Sequence, residues 1–347
     1  MKYYCVLTRE DESKLKNYIV HKNETGDVFL LSFDENDKED IIKNTDISVF
    51  IDGKRKIYKF DNGEIVPFSD KKFSFTPAVW YKKFCRVYSN MHKEQLCRDN
   101  KLRKFSATYI NKSGIDISAF KSFELVDKEN ETVYPFRFKK SKGNKSEPLV
   151  IYFCGAGAVG MDNMKPFFEC IPMLRQLNKY NCNILIPQSN TDVNYNRDYD
   201  ELNFKLDRYT KSVGNLVALL KENYHIDKDR IYVFGTSFGG FCTWRLVYHN
   251  PELCACAIPV MGGFDDSIEN SVYTDFERLV NVPIWAAHSS DDECVSIKFD
   301  DYAVERIKKL GGNIKYSRWD KYGHGMARHF YKKEKWCDYM FEQKLNH

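Results

Sequence analysis

A serine flanked by glycines carries the strongest chemical signal in this sequence. The run Gly235-Thr236-Ser237-Phe238-Gly239-Gly240 follows Ile231-Tyr232-Val233-Phe234 and precedes the apolar stretch Phe241 to Tyr248. The first stretch reads as a strand and the last as a helix. A chain turning sharply from strand to helix has no room for side chains beside the turn, and Gly235 and Gly239 leave that room. The turn then offers the Ser237 hydroxyl at a helix N-terminus. There the helix dipole and the backbone N–H of Phe238 can stabilise a developing oxyanion.

A serine nucleophile needs a base, and the base needs an orienting acid. Of the eight histidines, His324 stands between Gly323 and Gly325, just past the strand pattern Lys315 to Trp319. His21 and His92 lie far towards the N-terminus, and His225 precedes the Ile231 strand, at the wrong end of a sheet. His249 ends a helix, His288 is still within its strand, His329 begins the last helix and His347 is terminal. The acid has three adjacent candidates, Asp291, Asp292 and Glu293, all following the strand pattern Pro283 to His288.

The apolar run Leu149 to Cys154 enters a second glycine-rich segment, Gly155-Ala156-Gly157-Ala158-Val159-Gly160. Such a loop can cradle phosphate. It lacks the Gly-Lys-Ser/Thr of a P-loop, and no acid stands at the end of the next strand, which closes in Pro187-Gln188. Beside an elbow serine, the loop reads better as the source of a second oxyanion N–H, from Ala156. Gly155, Gly157 and Gln188 are then candidates for substrate contact.

These residues need a sheet to hold them. From about Phe105 onward, strand and helix patterns alternate, as in a mostly parallel sheet with helices on both faces. Strands are expected at Ala119–Val126, Thr132–Lys139, Leu149–Cys154, Asn183–Pro187, Ile231–Phe234, Ala255–Val260, Pro283–His288 and Lys315–Trp319. Pro135 marks the second of them as a sheet edge. Helices are expected at Phe167–Lys179, Leu206–Tyr224, Phe238–Tyr248, Phe299–Leu310 and Ala327–Leu345. Residues 1–104 read as a small α+β or β-rich accessory module. In it, Asp11–Val20 and Trp80–Cys97 are expected as helices, Val28–Phe33 as a strand, Ile47–Ile51 with Lys56–Phe60 as a hairpin, and Asn62-Gly63 as a second turn before Ile65–Phe68.

Composition narrows the function classes. The 347 residues are 43% hydrophobic and 29% charged, which excludes a disordered chain. The net charge of +4 implies neither an acidic nor a basic partner. No apolar run reaches a membrane span, and Met1 to Val20 holds no secretory apolar region. Eleven cysteines, an odd count without repeated spacing, point to reduced thiols in a cytoplasmic protein. Cys254 and Cys256 lie in an apolar run and read as strand residues rather than metal ligands. Neither a metal nor an organic cofactor is expected.

Three segments resemble a known family. Pro148 to Asn163 (PLVIYFCGAGAVGMDN), Ile226 to Gly263, and Pro283 to Ser296 are similar to α/β-hydrolase esterases often labelled predicted peptidases. That group is related to feruloyl and acetyl-xylan esterases and to polyhydroxybutyrate depolymerases. Tyr322-Gly323-His324-Gly325 is similar to its catalytic-histidine segment. The resemblance runs from about Phe105 to His347 and implies an α/β-hydrolase fold over 105–347. It also implies Ser237 as nucleophile, Asp292 as acid and His324 as base. The sequence departs from the family pattern at Cys154 for a histidine, at Ser289 for a glycine, and at Met326-Ala327, where a tryptophan often follows the histidine.

The expected activity is that of a serine carboxylesterase acting on feruloyl or acetyl esters of plant-derived oligosaccharides. A peptidase or amidase with the same triad is the alternative. A third reading, from another class, is a binding protein. The stretch Lys71 to Lys104 has ten Lys/Arg against Glu94 and Asp99, interleaved with aromatic residues, as in nucleic-acid binders. A solvated helix face with a buried aromatic stripe explains it more simply, so neither nucleic acid nor membrane is expected as a partner. A lid over the cleft and a homodimer contact are further roles for the front module.

Overall fold

The computed structural model describes residues 115–116, 119–159, 163, 165–189, 199–264, 268 and 271–345. It also gives the backbone of five strands nearer the N-terminus: β1 (Tyr3–Leu7), β2 (Ile19–Lys22), β3 (Val28–Ser32), β4 (Tyr58–Phe60) and β5 (Gly63–Pro67). The chain divides into two units. One is Met1–Gly114 with Ser122–Pro135, and the other is Ile115–Lys121 with Phe136–His347.

In the first unit, β3 lies between β1 and β2 in a three-stranded antiparallel sheet. β4 and β5 form a hairpin in which Phe60 faces Gly63, at the second of the two expected turns. β5 also pairs antiparallel with β6 (Lys121–Asp127). The helix expected at Asp11–Val20 lies outside the described residues, except that its last two residues enter β2. Ile47–Ile51, the helix expected at Trp80–Cys97 and the basic stretch Lys71–Lys104 also lie outside them.

The second unit is built on strands that are mostly buried at the centre, with the edge strand Ile314–Trp319 exposing Lys315 and Arg318. β7 (Thr132–Lys139), β8 (Glu147–Phe153), β9 (Asn183–Pro187), β10 (Ile226–Thr236), β11 (Cys256–Val260), β12 (Ile284–Ser289) and β13 (Ile314–Trp319) stand in the order β13-β12-β11-β10-β8-β9-β7. All neighbours are parallel except β7 and β9. The central strands β9, β11 and β12 are buried along their whole length, as parallel strands covered on both faces must be. β7 is not an edge strand, because it has β6 and β9 as neighbours. Pro135 is accommodated there because the ladder to β9 begins only at Phe136.

Helices α1 (Lys165–Leu177), α2 (Tyr199–Asn223), α3 (Phe238–His249) and α4 (Ile297–Lys309) connect successive strands. None is long and apolar enough to cross a membrane among the described residues. α3 is buried from Phe238 to Val247, and the buried Arg245 among them donates to the Phe264 carbonyl. α4 buries Asp300, Ala303, Val304 and Ile307, one helical face with a carboxylate at its start. The single last helix expected over Ala327–Leu345 is instead two, α5 (Ala327–Lys333) and α6 (Trp336–Glu342). Glu334 is extended (φ −86°, ψ 147°), and the break turns Trp336 into the core against Phe234, with ring centroids 4.9 Å apart. There the indole N–H donates to the Tyr331 carbonyl.

Candidate active site

The site assembles at the carboxyl ends of β8, β10, β12 and β13. At the end of β10 the chain turns straight into α3. A Cβ on Gly235 would lie 2.3 Å from the Gly239 carbonyl oxygen, and one on Gly239 would lie 2.1 Å from that of Phe153. No side chain fits at either position, which explains the Gly-x-Ser-x-Gly spacing. Ser237 itself adopts φ 58°, ψ −120°, a conformation that costs an L-residue about 1–3 kcal/mol. Its N–H donates to the Val260 carbonyl at the end of β11, which helps hold the turn.

Strand pairing sets Gly235 beside Phe153, so the elbow and the loop after β8 leave the sheet side by side. Phe238 is the first residue of α3, where an N–H has no acceptor within the helix. Ala156 opens a one-turn 3-10 helix, Ala156–Ala158. Both expected oxyanion donors therefore sit at neighbouring strand ends.

The loop holding Ala156 is braced from below. The Gly155 N–H donates to both oxygens of the Glu169 carboxylate, at 2.8 and 3.0 Å, and Tyr152 Oη donates to Glu169 Oε1 at 2.7 Å. Burial pushes the Glu169 carboxyl above its usual range, against these two bonds. Gln188 is buried; its Oε1 accepts from the Asn163 N–H at 2.6 Å and its Nε2 donates to the Ala158 carbonyl at 2.8 Å. Of the residues expected to touch substrate, Gly155 and Gln188 thus have their polar groups engaged in the protein itself. Each ties the loop down instead of presenting a group to the cleft. Gly157 is exposed, with open space around its Cα.

The other side of the site brings together the remaining two expected residues. His324 Nε2 lies 2.9 Å from Ser237 Oγ, and His324 Nδ1 lies 2.8 Å from Asp292 Oδ2. The serine hydroxyl can donate to Nε2 while Nδ1–H donates to the carboxylate, the tautomer a general base requires. Asp292 also accepts the N–H groups of Cys294 and Val295 at 2.8 and 2.9 Å. Burial opposes its charge, but hydrogen bonds from His288, His324 and Val295 outweigh it and hold the carboxyl well below its usual range.

The three adjacent acids are thereby separated. Asp292 faces His324. Asp291 is exposed and accepts the N–H groups of Tyr322 and Gly323 at 3.2 and 2.9 Å, which pins the loop carrying His324. Ser289, a departure from the family pattern, donates its hydroxyl to Asp291 at 2.5 Å. Glu293 is exposed.

Two partners of Asp292 were not expected from the sequence. His288 Nε2 lies 3.3 Å from Asp292 Oδ2, and His288 Nδ1 lies 2.7 Å from Asp300 Oδ2. The available signals were a histidine inside an otherwise apolar strand and a carboxylate on the buried stripe of α4. Among the described residues, Asp292, Cys294 and His324 could share a cation. Two of these three already bond each other, so the group reads as part of the catalytic geometry. Cys254 and Cys256 are buried unpaired thiols in or beside β11.

Solved structures share this fold. A thermostable esterase superposes with a TM-score of 0.55 at 20% identity, covering 99% of this chain and 90% of the other. This is an α/β-hydrolase fold. A feruloyl esterase from Anaeromyces mucronatus gives 0.49 at 16% identity, over 63% of this chain and 90% of the other. The acylaminoacyl peptidase of Pyrococcus horikoshii gives 0.48 at 15% identity, over 86% and 52%. Residues 210–272, which contain Ser237, match the model of the prolyl oligopeptidase family. Among curated proteins no sequence matches. With this fold and this match, the chain is a serine hydrolase, a class of both esterases and peptidases.

Proposed function

We propose that the protein is a serine carboxylesterase. The observation that carries the mechanism is the unbroken chain from Ser237 through His324 to Asp292, at 2.9 and 2.8 Å. In this reading Ser237 Oγ attacks the ester carbonyl carbon as its proton passes to His324 Nε2. Asp292 holds the ring and stabilises the imidazolium. The N–H groups of Phe238 and Ala156 receive the oxyanion. Collapse expels the alcohol, which takes the proton from His324. Water, activated by the same histidine, then frees the acid and restores Ser237.

The esterase assignment draws on the sequence resemblance and on the neighbour that superposes over 99% of this chain, which is an esterase. The resemblance also supports feruloyl or acetyl esters of plant-derived oligosaccharides as substrates. We read residues 1–104 as accessory to 105–347. The free thiols, eight among the described residues, support a reducing, cytoplasmic setting. A peptidase is the second reading, favoured by the prolyl oligopeptidase family match over 210–272.

The test is hydrolysis of p-nitrophenyl acetate, methyl ferulate and an N-acyl p-nitroanilide by wild type and by Ser237→Ala. The expected result is ester turnover that falls by about 10⁵-fold or more in the variant. Cleavage of the anilide faster than either ester would overturn the esterase reading. Turnover retained by Ser237→Ala would overturn the serine mechanism.

A further inference from the structure

His288 is fully buried in β12, with its ring between two carboxylates. Nδ1 lies 2.7 Å from Asp300 Oδ2, and Nε2 lies 3.1 Å from the Val295 carbonyl oxygen and 3.3 Å from Asp292 Oδ2. All three partners are acceptors. A neutral imidazole would point a lone pair at one of them, so both nitrogens carry hydrogen and the ring is an imidazolium. Asp300 accepts two further hydrogen bonds, from the Trp244 indole N–H at 2.6 Å and from the Gly262 N–H at 3.2 Å. Burial works against a charged His288, but its bonds and charges with Asp292 and Asp300 outweigh this and push its pKa up to about 9.

The chain of hydrogen bonds and ion pairs is therefore longer than a triad: Ser237, His324, Asp292, His288, Asp300. We propose that His288, held charged by Asp300, is a positioning residue for the serine chemistry: it fixes the Asp292 carboxylate towards His324 and offsets part of that carboxylate's charge. This rests on the serine mechanism proposed above. A buried carboxylate beside an imidazole favours the protonated ring. Without compensation, Asp292 would hold His324 protonated to higher pH, and a protonated His324 cannot accept the Ser237 proton. A positive charge on the far side of the same carboxylate counters that effect. Among the described residues, the titratable groups facing this chain are its own members, the Cys294 thiol at the rim, and the Tyr316 phenol of β13, which burial and the Asp300 charge push up. Burial, then Asp292 and Glu293, raise that thiol, so it stays uncharged at neutral pH. Trp244 and Gly262 face Asp300 with neutral donors only.

The test is the pH profile of kcat/KM for p-nitrophenyl acetate with the full chain, comparing wild type, His288→Gln and Asp300→Asn. Both variants remove the imidazolium. The acid limb is expected to move to higher pH by roughly one unit, with KM little changed. Asp300→Asn can still accept from Trp244 at Oδ1 while its amide nitrogen replaces Oδ2 beside His288 and the Gly262 N–H, so it is a second way to discharge His288 if His288→Gln does not fold. Independently, ¹⁵N NMR of histidine-labelled wild type at pH 7.5 should find both His288 nitrogens protonated. An acid limb that stays in place while activity falls uniformly would mean a structural role only and would overturn the proposal. So would a neutral His288 ring. Turnover that survives in Ser237→Ala would instead sink the serine mechanism, an outcome read from a separate variant.

Discussion

The elbow after β10 is held by close backbone packing against the end of β8, whose own loop is braced by the Glu169 carboxylate and the Gln188 amide, whereas the loops after β12 and β13 are held almost wholly by side-chain hydrogen bonds to carboxylates. On the first side, Gly239 packs against the Phe153 carbonyl so closely that no Cβ fits, and the strand register fixes which loops meet. On the second side, Asp291 ties down the backbone of the His324 loop, and Asp292 and Asp300 hold His288 between them. The difference follows from what each side must do. A nucleophile and two oxyanion donors need fixed positions, and packed backbone supplies them. A base is charged and discharged twice per turnover, and hydrogen-bonded carboxylates respond to charge as packed backbone cannot.

If this contrast is real, the two sides should fail differently. The largest effect is expected on the electrostatic side. Asp292→Asn preserves shape and can still accept from Cys294 and Val295, yet its amide no longer enforces the Nδ1–H tautomer of His324. Ester kcat should fall by about 10³–10⁴-fold with a normal melting temperature, measured by steady-state kinetics and thermal unfolding. Asp291→Asn is the control. Its amide oxygen still accepts from Tyr322 and Gly323, so it should lose less than about tenfold.

The packed side should lose fold and activity together. In Gly239→Ala the new Cβ would meet the Phe153 carbonyl at 2.1 Å, so the elbow and the end of β8 must separate. Displacements near 1 Å cost activity on the order of 10²-fold, and overpacking costs about 1–3 kcal/mol. Both losses should appear in the same variant. A Gly239→Ala protein with wild-type stability and reduced activity would break the comparison.

The same contrast explains what could be read from the sequence. Gly235, Ser237 and Gly239 lie within five residues, so the geometric demand is written locally, and the strand-turn-helix pattern around them was legible. His324 could be found because it follows a strand pattern and stands between glycines. The central strands β8, β9, β11 and β12 were legible because buried parallel strands are continuous apolar runs. The relay behind Asp292 was not legible. Trp244, Gly262, His288 and Asp300 come from different elements, and only the packing of α3 and α4 on the sheet brings them together. The break at Glu334-Lys335 was missed for a similar reason. Local helix preference favours continuing, and only the burial of Trp336 against Phe234 makes the turn worthwhile. Gln188 was expected at the substrate because a polar residue after a strand, at the expected cleft, suggests ligand contact. Its two bonds to a loop some thirty residues earlier are a tertiary fact.

Gln188 also provides the mildest test, because it belongs to the packed side and yet acts through a side chain. Its amide spans the oxyanion loop from the Ala158 carbonyl to the Asn163 N–H. In Gln188→Ala both groups lose a buried partner, which should cost about 1–3 kcal/mol in unfolding experiments. Ala156 lies two residues before the freed Ala158 carbonyl, in the same 3-10 turn, so its N–H should be less well aimed at the oxyanion. That interaction strengthens in the transition state, so kcat should fall, by roughly tenfold, more than KM rises. Gln188→Glu separates the two ends. The carboxylate still accepts from Asn163 but places an acceptor against the Ala158 carbonyl. If the anchor at Ala158 is what aims Ala156, this variant should be no better than alanine in kcat. If it restores kcat, the brace acts from Asn163, and the loop is stiff enough between them to carry its position back to Ala156.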